Sequence, residues 1–312
     1  MIKFDFMIFR ERRVRRMKDY CAEFKNYLMK VKKVSNNTLD SYLRDLQNYL
    51  EFLKKQKTLP VDADSATVDK YVKYLKDAKK SSATITRHIA STRCFYQFLM
   101  INGSVSENPA KGIKLEKPEK KLPQILSGEE IELLLSQPNA KELKGCRDKA
   151  MLELLYATGI RASELVDLNV EDINLHTGVL CCHSGKSERV IPVYAQAVTA
   201  ISDYIFRVRR IIISPDGGQA LFTNLNGHRL TRQGFWKIVK GYAETAGITK
   251  EITPYTLRHS FALHLLENGA ELKDIQQMLG HADISSTQVY VRLLNDHFKE
   301  VYNHCHPRAK LG

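Results

Sequence analysis

The chain has 312 residues, of which 43% are hydrophobic and 27% charged, and this balance excludes an intrinsically disordered protein. The length exceeds what one hydrophobic core usually serves, so two domains are expected. The formal net charge of +13 favours a polyanionic partner, because basic side chains that contact phosphates release condensed counterions. No stretch has the roughly 20 apolar residues of a membrane-spanning helix, so a membrane protein is excluded and a cytoplasmic location is expected.

The first residues do not have the order of a signal peptide. A short, mixed segment at residues 1–9 precedes a cluster of arginines, whereas a signal peptide carries its charges before its apolar run. A later methionine, Met17, lies just before the helical patterning begins, and we expect translation to start there. The six cysteines lack zinc-type spacing and are expected to be reduced thiols. No metal and no cofactor are predicted.

The first third of the chain has apolar side chains at helical spacing with little interruption. The spacing predicts four helices, which form a small bundle, and Ser35 supplies the start signal of the second. The four runs lie at residues 24–31, 39–53, 68–75 and 85–99. Lysines and arginines on the exposed faces make this bundle a candidate for binding DNA. We assign it to residues 17–107.

The composition shifts at residues 108–123, where three prolines alternate with five lysines. Prolines prevent a continuous helix and lysines resist burial, so this segment is predicted to be an extended basic linker. It separates the bundle from a second domain at residues 124–308.

The second domain begins with a capping-box pattern at Ser127 and Glu130. A helix that ends at Gly159 follows. Two segments rich in β-branched and apolar residues, at 179–182 and 190–193, predict a β-hairpin whose turn is residues 183–187. The rest of the domain is helical, so the fold class is mainly α with one small β-hairpin.

Four separated segments place a side chain that can bind phosphate at the end of a predicted element. In the first, Gly159 can take the positive φ that ends a helix, and Arg161 begins the next one. Glu164 lies one turn further on and can hold the guanidinium in place. The second segment places Lys186 in the hairpin turn. Taken singly, such residues are most simply surface charges.

The third and fourth segments lie near the end of the chain. Tyr255 and Arg258 are one turn apart on a predicted helix. Gly280 ends another helix and is followed by His281. A Ser-Ser-Thr run can then cap the helix that carries Tyr290.

These segments resemble the motif set of tyrosine site-specific recombinases and phage-type integrases, and the Xer subgroup in particular. The motifs are Ala-Thr-Gly-Ile-Arg ending at Arg161, Leu-Arg-His at residues 257–259, Leu-Gly-His at 279–281, and Tyr290. Each motif alone is weakly specific, but four in this order are strongly specific, and the resemblance covers residues 19–308. It implies a SAM-like core-binding domain and a catalytic domain. It also implies a homo- or hetero-tetramer on two double-stranded DNA sites.

The resemblance further implies a mechanism. The Tyr290 hydroxyl attacks a DNA phosphodiester, giving a 3′-phosphotyrosine and a free 5′-hydroxyl. Arg161 and Arg258 bind the non-bridging oxygens and stabilise the transition state, and His281 hydrogen-bonds the phosphate. Lys186 protonates the leaving oxygen. A second 5′-hydroxyl then reseals the strand, so the covalent intermediate retains the bond energy and neither ATP nor metal is needed.

Two positions depart from the family pattern. The family usually has a histidine where this chain has Tyr255, and a phenol can donate a hydrogen bond to phosphate but keeps its proton at neutral pH. Packing is the simpler role for this tyrosine. Lys186 lies later in the hairpin than the family lysine, but it is the lysine of the turn and is assigned the acid role. Core or supporting packing is expected for His259, His264, Phe235 and Trp236.

Within this family, Xer-like length favours resolution of chromosome or plasmid dimers, although integration of a mobile element uses the same chemistry. The segment after Tyr290, which includes Phe298 and Val301, is the candidate for exchange between protomers. A type IB topoisomerase shares the tyrosine chemistry, and a non-catalytic DNA-binding protein would keep the fold. The DNA site and any accessory protein cannot be read from the sequence, because specificity depends on groove contacts and DNA shape.

Overall fold

The computed structural model describes residues 20–115, 123–184, 187–253, 255–281, 283, 286–291 and 293–294. The chain divides into two compact units, residues 1–120 and residues 121–312. Several predictions fall on residues outside the described ones: the start at Met17, the second half of the Pro/Lys linker, Lys186, and the exchanged segment after Tyr290 that includes Phe298 and Val301.

The N-terminal unit contains the four predicted helices. They are α1 (residues 20–30), α2 (Asn36–Lys55), α3 (Ser65–Asp77) and α4 (Ser82–Ile101). Each of the last three begins at a side chain that accepts a hydrogen bond from a free backbone N–H of the first turn. These N-caps are Ser35, Asp64 and Ser81.

The core of this unit is aromatic. Phe24 and Phe95 pack edge to face, with ring centroids 5.5 Å apart. The hydroxyl groups of two buried tyrosines form a short hydrogen-bonded chain. The Tyr96 hydroxyl donates to the carbonyl of Pro60 (3.1 Å), and the Tyr49 hydroxyl lies 2.8 Å from the Tyr96 oxygen. The hydroxyl groups of these two buried tyrosines are therefore paired, as a close-packed core requires.

The first residues of the predicted linker belong to this unit. Ala110 and Ile113 are buried in its core. Arg93 of α4 donates through Nε to the carbonyl of Ala110 (2.8 Å), and Asn108 donates to the carbonyl of Arg93 (3.0 Å). This corrects the prediction of an extended segment at residues 108–113. The prolines and lysines of this segment indicate an extended chain, but the apolar residues between them pack into the core.

The C-terminal unit is helical around one small sheet. Its helices are α5 (Gly128–Ser136), α6 (Leu143–Thr158), α7 (Ala162–Asp167), α8 (Ala195–Asp203), α9 (Arg210–Ile212), α10 (Arg232–Thr245), α11 (Thr256–Glu267) and α12 (Leu272–Leu279). A π-helical stretch, Tyr204–Arg209, joins α8 to α9, and residues 288–291 are helical again. The capping box predicted at the start of α5 is present, with Ser127 and Glu130 bonded reciprocally.

The sheet has three antiparallel strands in the order β1 (Ile173–Asn174), β2 (Val179–Ser184) and β3 (Ser187–Pro192). The strands of the β2–β3 hairpin are longer than predicted, because His183 pairs with Glu188 and Ser184 pairs with Ser187. Leu180 pairs with Ile191, and both are buried. Cys182 pairs with Arg189 two residues further along, so Arg189 lies on the same inward face.

Helix α6 is the centre of this unit. It is buried around most of its circumference, and it packs against α8 and α11. Its buried Arg147 is paired with Asp148 (2.7 Å), and Tyr242 of α10 donates to the second oxygen of that carboxylate (3.0 Å). No helix in the described part of the chain is both long and apolar enough to cross a membrane.

We predict that Gly159, which ends α6, cannot be replaced by alanine without a large loss of stability. Its φ is +58°, and an added Cβ would lie 2.3 Å from Cδ1 of Phe261 on α11. Gly247 is the matched control, because its φ is +67° but a Cβ there meets no atom within 4 Å. Gly247→Ala should cost about 1–2 kcal/mol from backbone strain, and Gly159→Ala about 1–3 kcal/mol more.

Urea unfolding followed by fluorescence of Trp236 measures this difference. Trp236 is the single tryptophan of the chain, and it packs against the core of the C-terminal unit. Equal urea midpoints for the two variants would show that the contact with Phe261 does not constrain the end of α6.

Candidate active site

Four separated parts of the C-terminal unit bring polar side chains together. They are the α6–α7 junction, strand β3, helix α11, and the residues that follow α12. The side chains that they contribute are Arg161 and Glu164, Arg189, Arg258 and His259, and His281 with Tyr290.

Glu164 is a buried carboxylate that pairs with two arginines. Arg161 donates to it through Nη1 (2.9 Å) and through its own backbone N–H (2.7 Å). Arg189 of β3 donates in a bidentate manner, from Nη1 to Oε1 (3.1 Å) and from Nη2 to Oε2 (2.7 Å). The contact expected between Glu164 and Arg161 is therefore present, and a second arginine shares the carboxylate.

The surroundings of Glu164 keep it ionised. Burial alone would raise the pKa of its carboxyl group, but the hydrogen bond from Arg189 and the backbone N–H of Arg161 lower it, and the net pKa is below the ordinary value. One negative charge thus partly offsets the positive charges of Arg161 and Arg189 at neutral pH.

Arg258 is held by the ends of two helices. Nη1 donates to the carbonyl of Gly159 after α6 (2.7 Å), and Nη2 donates to the carbonyl of Leu279 at the end of α12 (2.7 Å). These carbonyls are unpaired within their helices and carry the negative end of the helix dipole. Burial, followed by repulsion from Arg161, lowers the pKa of Arg258 to about 10, so it is still charged at neutral pH.

The two guanidinium groups differ in exposure. Arg258 is 3% exposed, whereas 34% of the Arg161 side chain is exposed. Arg161 also reaches the carbonyl of Gly280 through Nη2 (3.3 Å), so both arginines contact the same α12 terminus. A ligand from solvent would therefore meet Arg161 first.

His281 has a defined tautomer. Its Nε2 lies 3.0 Å from Nη2 of Arg258, and since arginine can only donate, this nitrogen is the acceptor. The ring hydrogen is consequently on Nδ1, which donates to Oγ1 of Thr287 (2.9 Å). Burial, followed by repulsion from Arg258, lowers the pKa of His281 to about 4. The predicted hydrogen bond to a phosphate would require Nε2 to exchange its partner.

The Tyr290 side chain is covered in this structure. It is 1% exposed, and its hydroxyl lies 2.9 Å from Nδ1 of His259. Burial raises the pKa of this phenol, and the charge of Arg258 opposes the rise. Tyr255 differs, because it is 57% exposed at the start of α11, with its ring centroid 6.2 Å from that of His259. Core packing is therefore not its role.

Arg189 and His259 are the residues whose contacts the sequence reasoning missed. A signal for Arg189 exists: it occupies an inward-facing position of a strand that otherwise places apolar residues there, and a buried arginine needs a partner. His259 was expected to pack, but its contact with Tyr290 depends on two helices meeting.

Lys186 lies outside the described residues, and its role stays a prediction. Within the described ranges, no group of three His, Cys, Asp or Glu residues could hold a metal ion. The five cysteines found there are free thiols.

We predict that Glu164 makes stability depend on pH. Because its pKa is lowered in the folded protein, its contribution is present above the ordinary carboxyl pKa of roughly 4.3 and is lost as the pH falls through the folded value. Unfolding followed by Trp236 fluorescence should therefore show wild type losing more stability between pH 5 and pH 3 than Glu164→Gln. At pH 7 the variant should be less stable by about 3–5 kcal/mol, since Arg189 loses its partner.

The exposed Glu171 provides the control. Glu171→Gln should keep the wild-type pH dependence. If Glu164→Gln keeps it too, then Glu164 does not have the lowered pKa described above.

Two family models match this chain. Residues 124–297 match the phage integrase family, and residues 21–103 match the N-terminal SAM-like domain of phage integrases. The first match alone spans more than half of the chain.

Relatives of known class are similar over most of the chain. The tyrosine recombinase XerD of Oceanobacillus iheyensis is 51% identical over 235 residues, which are 75% of this chain and 79% of that protein. XerD of Listeria monocytogenes is 46% identical over 232 residues, which are 74% and 78% of the two chains.

Solved structures share the fold. The crystal structure of XerA recombinase is 25% identical with a TM-score of 0.53, and the match covers 93% of this chain and 99% of that one. The XerH recombinase, in a post-cleavage complex with a palindromic difH substrate, is 20% identical with a TM-score of 0.73, over 91% and 84% of the chains. The fold is mostly helical, as predicted. The chain belongs to the phage integrase family of tyrosine recombinases, in its Xer subgroup.

Proposed function

We propose that this chain carries out site-specific recombination through a covalent phosphotyrosine at Tyr290. Tyrosine recombinases are enzymes that cleave and rejoin DNA, and this chain is one of them. One observation supports the assignment of the catalytic residues: Arg161, Arg258 and His281 converge at one place. The hydroxyl of Tyr290 lies beside helix α11, which also carries Arg258.

The two arginines suit a phosphodiester. Each guanidinium can offer paired donors to the non-bridging oxygens, and the charge that develops on these oxygens in the transition state strengthens the interaction. Arg258 is already fixed by the carbonyls of Gly159 and Leu279, so it need not reorganise when the phosphate binds. Arg161 is exposed enough to receive the phosphate from solvent.

The reaction that we propose balances without a further reactant. The O–H bond of Tyr290 breaks with release of its proton, and the oxygen forms a bond to phosphorus. The bond from phosphorus to the 5′ oxygen breaks, and Lys186 supplies the proton that this oxygen takes up. A 5′-hydroxyl from the second site then attacks the phosphotyrosine and returns its proton to Lys186, while the released tyrosine oxygen takes a proton back.

The burial of Tyr290 indicates that the proposed partners, DNA and other protomers, are needed to expose it. With 1% exposure, its hydroxyl cannot meet a phosphate until the side chain or its surroundings move. We propose that assembly of four protomers on two DNA sites supplies this movement. The solved XerH structure is a DNA complex, and this supports double-stranded DNA as the partner. Because DNA is the proposed substrate, we also propose a cytoplasmic location.

For the biological task we propose dimer resolution. The XerD relatives at 46–51% identity support an Xer-type role. The Tn1549 transposon integrase is 19% identical, so its likeness concerns the fold and does not favour integration. No specific observation favours a type IB topoisomerase or a non-catalytic DNA-binding protein.

The nucleophile is tested with a nicked suicide duplex that carries the candidate site. Wild type should give a covalent protein–DNA band on a denaturing gel, and Tyr290→Phe should give none while still binding DNA, because a phenyl ring has no oxygen to attack phosphorus. Tyr255→Phe is the matched control, since it removes the exposed hydroxyl near the site and should retain the band. A band from Tyr290→Phe would assign the nucleophile elsewhere.

The role of Lys186 is tested with a substrate whose leaving 5′ oxygen is replaced by sulfur. A thiolate leaves without protonation, so Lys186→Ala, slow on the oxygen substrate by about 100-fold or more, should recover the wild-type rate on the sulfur substrate. Arg161→Ala, which should act on the non-bridging oxygens, should not recover. If Lys186→Ala stays slow, the general acid is another residue.

A further inference from the structure

The hydroxyl of Tyr290 has one hydrogen-bond partner in the described part of the chain, the imidazole of His259. The distance from the phenolic oxygen to Nδ1 is 2.9 Å, within the range of a direct proton transfer. The ring centroids are 5.7 Å apart, and Tyr290 is buried beneath the face of α11 that carries His259. The contact therefore places a basic nitrogen at the atom that must lose a proton in order to attack.

The other polar groups of the site are unsuited to accept that proton. Arg258 has hydrogen-bond donors and no acceptor, and it keeps its charge at neutral pH. Nε2 of His281 is already occupied by Arg258, and Nδ1 donates to Thr287. Tyr255 offers a phenolic hydroxyl, which is a far weaker proton acceptor than an imidazole nitrogen.

We infer that His259 is a catalytic residue that accepts the proton of Tyr290 during strand cleavage and returns it during rejoining; this rests on the proposed function of Tyr290 as the nucleophile. In the cleavage step the O–H bond of Tyr290 breaks, its hydrogen moves to Nδ1 of His259, and the phenolic oxygen bonds to phosphorus. In the rejoining step the bond from the tyrosine oxygen to phosphorus breaks, and the imidazolium gives the proton back. No other reactant is needed.

The charges around His259 suit both the uptake of a proton in cleavage and its return in rejoining. Burial and the charge of Arg258 lower its pKa to about 4, so the ring is neutral at working pH and its lone pair is available. A phosphate bound by Arg258 offsets that positive charge and makes the imidazole a better base when the substrate is present. The titratable and charged groups facing the ring are Arg258 and Tyr255 on its own helix, His281 after α12, and Tyr290.

The test uses the full-length protein and a nicked suicide duplex with sulfur as the leaving atom. This substrate needs no proton on the leaving group, so the pH profile of single-turnover cleavage reports deprotonation of the tyrosine. Wild type should be nearly flat from pH 6 to pH 9. His259→Phe should be slower by about 100-fold at pH 7 and should gain about tenfold per pH unit, because hydroxide must then ionise the phenol.

Two further variants separate proton transfer from structural effects. His259→Asn keeps a hydrogen-bond acceptor near Tyr290 but cannot hold a proton, so it should show the same rising profile as His259→Phe. His264 is the matched control, because it lies on the same helix and makes the same type of contact, from Nδ1 to the hydroxyl of Tyr156 (2.9 Å). His264→Phe should keep the flat profile.

The outcomes distinguish this inference from the function on which it rests. If wild type binds DNA and forms no covalent product, the proposed function fails and the inference with it. If wild type cleaves and His259→Phe keeps the wild-type rate and the flat profile, the inference alone is overturned. A flat profile with full rate in His259→Asn also overturns it, since His259 would then only position the hydroxyl.

Discussion

The site depends on a balance between one buried carboxylate and the arginines around it. Several guanidinium groups in one low-dielectric region repel one another, and burial adds to the cost of each charge. Glu164 reduces this cost for Arg161 and Arg189, while backbone carbonyls at two helix ends do so for Arg258. The result is a positive site whose arginines are held in place before a phosphate arrives.

Helix ends connect this balance to the fold. Helix α6 is buried in the centre of the C-terminal unit, and the carbonyl that follows it holds Arg258. The end of α12 contacts Arg258 through the carbonyl of Leu279 and Arg189 through that of Met278 (2.8 Å). Packing of the helices therefore sets the positions of the phosphate-binding groups. Tyr290 is 1% exposed, so its hydroxyl must be uncovered before it can reach a phosphate.

Much of this could be predicted from the sequence, where the signals are local. Gly159 and Gly280 predicted the ends of α6 and α12. The contact between Arg161 and Glu164 could also be predicted, because the two residues lie one helical turn apart. Contacts between distant segments could not be predicted: Arg189 reaches Glu164 across 25 positions, and His259 reaches Tyr290 across 31. The strands β2 and β3 were predicted too short, because the polar residues at the ends of these strands do not carry a strand signal.

The most direct test of this account is a crystal structure of the covalent complex trapped on a suicide duplex. We expect phosphorus to be bonded to the oxygen of Tyr290, with its non-bridging oxygens within hydrogen-bond distance of Arg161 and Arg258. Glu164 should still be paired with Arg161 and Arg189. A phosphate bonded to another residue, or arginines turned away from it, would contradict the account.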